Sequence, residues 1–191
     1  MQTKLLAAEI MYTGEELASH WAYKNADLKG DSLVAFIGPC DVKTGCLVDL
    51  ADNLAGECIK SARMVHFIME MFGRDMEKSV LYQRILMFVI KETVKALRGP
   101  DGPTIKREGD DLYVISGREK RKLSVSIATV GPVSALIHAG VNVDPAGAPV
   151  QATGLAGMGI DEKTFAAAVL AAVKTEIDGI DEARVKTLAV G

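Results

Sequence analysis

Two short runs of the chain carry side chains suited to holding a small acid. The first is Lys122-Leu123-Ser124-Val125-Ser126-Ile127-Ala128, and the second is His138-Ala139-Gly140-Val141-Asn142-Val143. Both alternate apolar residues with small or polar ones. Successive side chains on a β-strand point to opposite faces, so Lys122, Ser124 and Ser126 share one face of the first run, and His138, Gly140 and Asn142 share one face of the second. Gly131-Pro132 stands between the runs and predicts a hairpin. A hairpin centred near Pro132 sets Ser126 opposite His138, Ser124 opposite Gly140 and Lys122 opposite Asn142, and directly opposed residues point the same way. One wall would then hold Lys122, Ser124, Ser126, His138 and Asn142, with Gly140 leaving space and an apolar wall behind. Small residues with one cation and a few hydrogen-bonding groups suit a small anion or carboxylate. A solvated sheet face would carry the same residues with no ligand, and alternation alone weighs the two readings evenly. A single histidine such as His138 is more often a hydrogen-bonded structural residue than a catalyst.

A second set of groups lies earlier in the chain. His66 and Glu70 are four residues apart. They share a face whether their run is strand or helix, so they are expected close together on an element facing the hairpin, with groups for acid–base chemistry. Asp110, in the turn Glu108-Gly109-Asp110-Asp111, is expected at the rim of the same site. The cysteines, Cys40, Cys46 and Cys58, are odd in number and form no C-x-x-C pair. That argues against a disulfide framework or a thiol zinc site, and leaves idle thiols. His66, Glu70, Asp49 and Asp52 are chemically able to bind a metal, but their spacing matches no metal motif, and no metal is expected.

The elements that position these groups are read from periodicity and turn residues. Lys4–Tyr12 predicts a first strand. Thr13-Gly14-Glu15-Glu16 predicts a capping box that opens a short helix, with Leu17 and Trp21 on its buried stripe. Ser32–Ile37, bounded by Gly30 and Gly38-Pro39, predicts a strand, and Leu47–Leu50 a second short one. Arg63–Phe72 contains a core too apolar to show a period and stays open between strand and helix. Asp75–Leu97 is the clearest helix, with Val80, Leu81, Ile85, Phe88 and Val89 on its apolar face and Gly99-Pro100 as its stop. Thr104–Arg107 and Leu112–Ile115 predict strands around the Glu108–Asp111 turn. Lys122–Val130 and Leu136–Val143 predict the hairpin strands, and Glu162–Glu176 and Asp181–Lys186 two closing helices. This order lacks the strict alternation of a doubly wound sheet. It predicts an α+β fold in one domain spanning residues 1–191, a mixed, mostly antiparallel sheet with helices packed on one side.

Composition narrows the function classes. The chain has 22 basic against 25 acidic side chains and a net charge of −3, which advertises neither nucleic acid nor an anionic membrane as partner. The longest apolar run, Phe165–Val173, is nine residues, about half of what a bilayer requires. No signal peptide is visible, so a soluble cytoplasmic protein is expected. A homodimer is left open.

The lysine run and the His-Ala-Gly-Val-Asn-Val run together resemble a pattern of the lipoate ligases and octanoyl transferases. These carry a lysine, a strand of small residues, then His-Gly and a strand ending in Asn. In that superfamily, to which the biotin ligases also belong, with a fold like that of class II aminoacyl-tRNA synthetases, the lysine contacts the carboxyl end of the bound acyl group or acyl-adenylate. Lys122 is the matching position. Nearly the whole chain resembles the domain-of-unknown-function 366 family. The residues that carry this likeness include Trp21, Gly38-Pro39, Val48-Asp49-Leu50, Met64-Val65-His66-Phe67, Gln83-Arg84, Gly109-Asp110-Asp111-Leu112 and Gly154-Leu155. That family carries no assigned reaction.

The ligase resemblance implies a biotin/lipoate ligase-like fold, a small-molecule carboxylate or acyl group as partner, and ATP as the cofactor to test. Two departures bear on it. The ligases wrap their ligand with an Arg- and Gly-rich loop ending in histidine. At the matching place, Lys60-Ser61-Ala62-Arg63-Met64-Val65-His66, Arg63 and His66 correspond but the glycines are missing. Without them the backbone approaches a phosphate less closely, which counts against ATP in the ligase manner. The transferases place a nucleophilic cysteine between Pro and Gly, where this chain reads Pro145-Ala146-Gly147. Alanine forms no thioester, and no cysteine is expected to be catalytic.

The expected function is binding of a small carboxylate or acyl-adenylate for acyl or adenylyl transfer. Lys122, His66 and His138 would be catalytic. Arg63, Glu70, Asp110, Ser124, Ser126, Gly140 and Asn142 would bind substrate. The alternative is a non-catalytic ligand-binding or protein-interaction domain that kept the fold and lost the reaction.

Overall fold

A computed structural model describes residues 1–190. In chain order the elements are β1 (Gln2–Glu9), α1 (Trp21–Ala26), β2 (Ser32–Val42), α2 (Leu50–Leu54), β3 (Ile59–Phe72), α3 (Met76–Arg98), β4 (Thr104–Glu108), β5 (Asp111–Ser116), β6 (Glu119–Lys122), β7 (Ser124–Val130), β8 (Ser134–Asp144) and α4 (Glu162–Lys186). Five strands form one sheet in the order β1-β2-β3-β8-β7, and β4-β5-β6 form a second. Only β1 and β2 pair in parallel. Among the described residues no helix is long and apolar enough to cross a membrane.

The run that showed no period is β3, the middle strand. Its period is masked because both faces are covered, as a strand buried on two sides requires. Val65, Phe67, Met69 and Met71 face the long helices α3 and α4, packing among Leu86, Ile90, Phe165 and Val169. Met64, His66 and Ile68 face the other way, where Phe36 and Tyr12 pack against them. Both long helices are N-capped by aspartate. Asp75 accepts from the Lys78 amide and Asp161 from the Thr164 amide, each at 2.8 Å. Such a cap satisfies one of the orphan amides of a first turn.

Three local expectations fail for identifiable reasons. The capping box forms only in part: Glu16 accepts from the Thr13 and Gly14 amides. Gly14 at φ 98° and His20 at φ 66° turn the chain out of helical space, and the helix begins only at Trp21. Leu47–Leu50 is not a strand, because Asp49 accepts from the amides of Ala51 and Asp52 and so caps α2. The two closing helices are one continuous helix, which tolerates Gly179 in its interior.

The hairpin of β7 and β8 forms, but one residue out of the expected register. Val125 lies opposite Gly140, Ile127 opposite His138 and Val130 opposite Ala135. The Gly131 amide donates to the Ser134 carbonyl at 2.8 Å, which centres the turn between Pro132 and Val133 rather than on Pro132. A one-residue displacement turns one strand over relative to its partner. Ser124 and Ser126 therefore share a face with Ala139 and Val141, away from His138. Lys122 ends β6 in the small sheet, with Leu123 between it and the start of β7.

The chain after β1 lies close against β2. Ile10 and Tyr12 donate to the carbonyls of Ile37 and Pro39. A Cβ on Gly38 would stand 2.0 Å from the Ile10 carbonyl oxygen, a backbone atom that cannot move aside. Gly38→Ala is therefore expected to lower stability by about 3 kcal/mol, at the upper end of overpacking. Gly179→Ala, with open space around it in a helix, should raise stability by about 0.5–1 kcal/mol. Urea unfolding of both variants tests this, and a neutral Gly38→Ala would disprove the close approach.

Candidate functional site

Register places the functional side chains on the face of the large sheet away from α3 and α4. On β8 these are His138, Gly140 and Asn142. On β3, Ile68, His66 and Met64 stand opposite them in that order. On β7 the partners are Ile127 and Val125 rather than serines. Gly140 was expected to leave room for a ligand. A Cβ there would meet the Met64 methyl at 2.8 Å, so that room is already filled.

A stack of rings forms the floor. Tyr12 lies flat on His138, with ring centroids 3.7 Å apart and planes within 10°. His66 stacks on Phe36 at 4.9 Å. The two histidines are joined, His66 Nδ1 to His138 Nε2 at 3.1 Å, and His66 Nε2 reaches the Gly38 carbonyl at 3.3 Å. A carbonyl only accepts, so His66 carries its proton on Nε2. Burial keeps both rings neutral: it pulls His66 down to about 4 and holds His138 well below the usual histidine range. A neutral His66 protonated on Nε2 has a bare Nδ1, so His138 must donate from Nε2 and is itself bare at Nδ1. That nitrogen has no protein partner, and it is not sealed from solvent. Burial also raises the Tyr12 hydroxyl, so it stays protonated.

Above this floor is a cavity of about 400 Å³, lined by Tyr12, His138 and Asn142, by apolar Met64, Val125 and Ile127, and by charged groups at its mouth. Asn142 is 5% exposed, and its carboxamide makes no hydrogen bond among the described residues. At the mouth, Lys122 Nζ meets Asp111 at 2.9 Å. The Asp110 carboxylate accepts from Gln83 and Arg84 and lies by the Ser126 hydroxyl. The facing side carries Asp49, Asp52, Glu57 and Lys60. Partial burial, with Asp49, Glu57 and Asp111 nearby, raises the Asp52 carboxyl, against the pull of Lys122. Among the described residues no cluster of three or more His, Cys, Asp or Glu is arranged to hold a metal.

Lys122, Asp110, His138 and Asn142 thus come together around one cavity, with His66 directly behind His138, while Ser126 reaches the lining from the edge strand β7 with its hydroxyl turned to Gln83 and Asp110. Besides Gly140, three expected members do not join them. Arg63 donates from Nε and Nη2 to Glu162 and from Nη1 to Glu9, and so clamps α4 and β1 to β3. Glu70 does share the His66 face, but four strand residues separate them by about 13 Å. It accepts instead from the His20 amide and the Ser134 hydroxyl. Ser124 is buried and accepts from the Leu112 amide, joining the two sheets. Sequence reasoning missed Tyr12 and Asp111, which no motif or spacing signals, and weighed Asp52 only as a metal ligand. It also set the cysteines apart from the site, yet Cys46 and Cys58 line the cavity. Cys40 is buried, and its thiol is pushed up to about 12 by desolvation.

The model of the family described as domain of unknown function (DUF366) matches residues 1–188. The chain belongs to the DUF366 family. An uncharacterized protein of Methanocaldococcus jannaschii is 40% identical over 157 residues, covering 79% of this chain and 67% of the relative. A protein of unknown function from Pyrococcus horikoshi superposes with a TM-score of 0.90 at 38% identity, over 100% of this chain and 99% of that one. A biotin protein ligase from Aquifex aeolicus, in complex with biotin and ATP, superposes with a TM-score of 0.62 at 13% identity, over 94% and 72% of the two chains. One component of a bipartite lipoate protein ligase structure from Thermoplasma acidophilum reaches 0.57 at 13% identity, over 93% and 84%. These last two likenesses show that the DUF366 chain has a biotin/lipoate ligase-like fold.

Both histidines titrate lower in the folded DUF366 chain than in an unfolded one. Below about pH 6.5 the unfolded state binds more protons, so stability falls with pH from there down to about 4. The shift of His66 corresponds to about 3 kcal/mol across that window. Urea titrations at pH 7 and pH 4.5 should show a smaller acid loss for His66→Gln than for the parent chain. Equal losses would mean that His66 is not held neutral by the fold.

Proposed function

We propose that this DUF366 chain binds a small carboxylic acid in the cavity above Tyr12 and His138, with Lys122 holding the carboxylate. The observation that carries the reading is Lys122 at the mouth of a cavity whose floor offers polar atoms of Asn142, Tyr12 and His138 without a partner among the described residues, while the other lining lysine, Lys60, leans toward Asp41 at 3.7 Å. An ammonium has three donors, so Lys122 can keep Asp111 and still donate to a ligand carboxylate. Partial desolvation strengthens that attraction relative to water. Val125, Ile127 and Met64 offer an apolar wall to the rest of the acid. The likeness in fold to biotin and lipoate ligases supports the same class of ligand.

The enzymatic form of this reading is acyl or adenylyl transfer, with an acyl-adenylate as an alternative occupant. The residues here do not fit ATP in the ligase manner. Arg63 is bound to Glu162 and Glu9, and Asp49, Asp52 and Glu57 at the mouth would repel a polyphosphate. That mismatch favours the second reading for any ATP-dependent reaction: a ligand-binding domain on a ligase fold that lost the reaction.

Thermal shift and calorimetry with biotin, lipoate, short fatty acids and ATP test both forms, since a ligand raises the melting temperature by mass action. At least one acid is expected to bind, and ATP is not. Lys122→Met should weaken the acid by about 1.5–3 kcal/mol, as for loss of a charge-assisted hydrogen bond, with the fold intact. Acid binding indifferent to Lys122→Met would overturn the assignment.

A further inference from the structure

The cavity is rich in groups that accept hydrogen bonds and poor in free cations. Asp49, Asp52, Glu57, Asp110 and Asp111 line it, against Lys60 and Lys122. Lys122 is already paired with Asp111. Asp110 is held by Arg84, and Asp49 by the first amides of α2. Asp52 and Glu57 have no ion-pair or hydrogen-bond partner on their side chains among the described residues. The hydrogen-bond chain from the Gly38 carbonyl through His66 leaves His138 Nδ1 bare, another acceptor facing the same space. His138 is 3% exposed and Asn142 5%, so a ligand is the natural partner for both once the cavity is occupied.

A bare carboxylate seated on Lys122 would add a negative charge to this surround. A ligand that brings its own cation would not. A divalent metal is a poor candidate for that cation, because no cluster of three or more ligating side chains is arranged to hold one among the described residues. An ammonium needs no such cluster. One of its donors on a single carboxylate already makes a charge-assisted hydrogen bond, and Asp52 and Glu57 at the mouth supply such carboxylates.

We propose that the ligand of this cavity is a zwitterion of amino-acid type, its carboxylate on Lys122, its ammonium on the Asp52–Glu57 side and its carbon chain along Val125 and Ile127. This rests on the carboxylate reading above and narrows it. The bare His138 nitrogen and the free Asn142 carboxamide stand independently of the acidic residues: both call for a polar ligand in the cavity, and the nitrogen for one that can donate.

Calorimetry on the full chain with three matched probes tests this: L-norleucine, hexanoate, which lacks the ammonium, and pentylamine, which lacks the carboxylate. Norleucine should bind at least roughly tenfold more tightly than either, the worth of one charge-assisted contact. The double variant Asp52→Asn, Glu57→Gln should remove that advantage over hexanoate without lowering the melting temperature, and Lys122→Met should weaken norleucine and hexanoate alike. Hexanoate binding as tightly as norleucine would overturn the zwitterion and leave the carboxylate site standing. Pentylamine binding as tightly as norleucine, and unaffected by Lys122→Met, would overturn the carboxylate site and the zwitterion with it. A melting-temperature rise with Mg²⁺ alone, lost in the double variant, would replace the ammonium with a metal. Failure of norleucine and of the common amino acids to bind would also overturn the proposal.

Discussion

The site depends on one close approach of backbone to backbone, at Gly38. With no side chain there, the segment after β1 can lie on β2 as far as Tyr12. Tyr12 then covers His138. The carbonyl of the same glycine accepts from His66 and so orders the protons of both histidines. A larger residue would push the segment away, uncover His138 and loosen the His66 contact at once. The floor of the cavity is therefore set by the absence of an atom, at a position that carries no chemistry of its own.

Burial then decides what the histidines can do. A histidine pair open to water would titrate near neutrality and could attract an anion. Here, desolvation holds His66 and His138 neutral, so the floor offers fixed dipoles rather than charge. The charges lie at the mouth, on Lys122, Asp111, Asp52 and Glu57. A ligand would be oriented by this separation, with its ionic groups outward and its neutral part against rings and methyl groups. Such preorganised polarity discriminates among ligands more by geometry than by net attraction.

Much of the fold was legible in the sequence, because it rests on signals that act locally. Alternation marked both hairpin strands, and the apolar periodicity with its Gly99-Pro100 stop marked α3. The face of β8 carrying His138, Gly140 and Asn142 followed from the period of two alone. What was not legible depended on one turn residue or on distant partners. Shifting the turn centre by half a residue turned Ser124 and Ser126 over, and nothing in the Gly131-Pro132 pair distinguishes the two centres. Arg63 and Glu70 have the types a site needs, but their partners, Glu162 and Ser134, are remote in sequence. Tyr12 and Asp52 enter through the path of segments around the cavity, which leaves no periodic trace. Whole-chain resemblance identified the family where local physics could not.

The two sides of the cavity mouth differ in stiffness. Lys122 and Asp111 stand on the small sheet, whose Ile105, Leu112 and Val114 are anchored in the core shared with α3 and α4. That side is tied to the core, and its ion pair stands on it. Asp52 lies on α2, five residues long with none of them buried, and Glu57 follows it on the same segment. Few buried contacts means a low local free energy of opening. The mouth therefore works as a fixed jaw bearing the Lys122–Asp111 pair and a compliant jaw bearing Asp52 and Glu57. Ligand length would be accommodated by the acidic jaw alone, and the entropy lost on binding would be drawn from that one short segment.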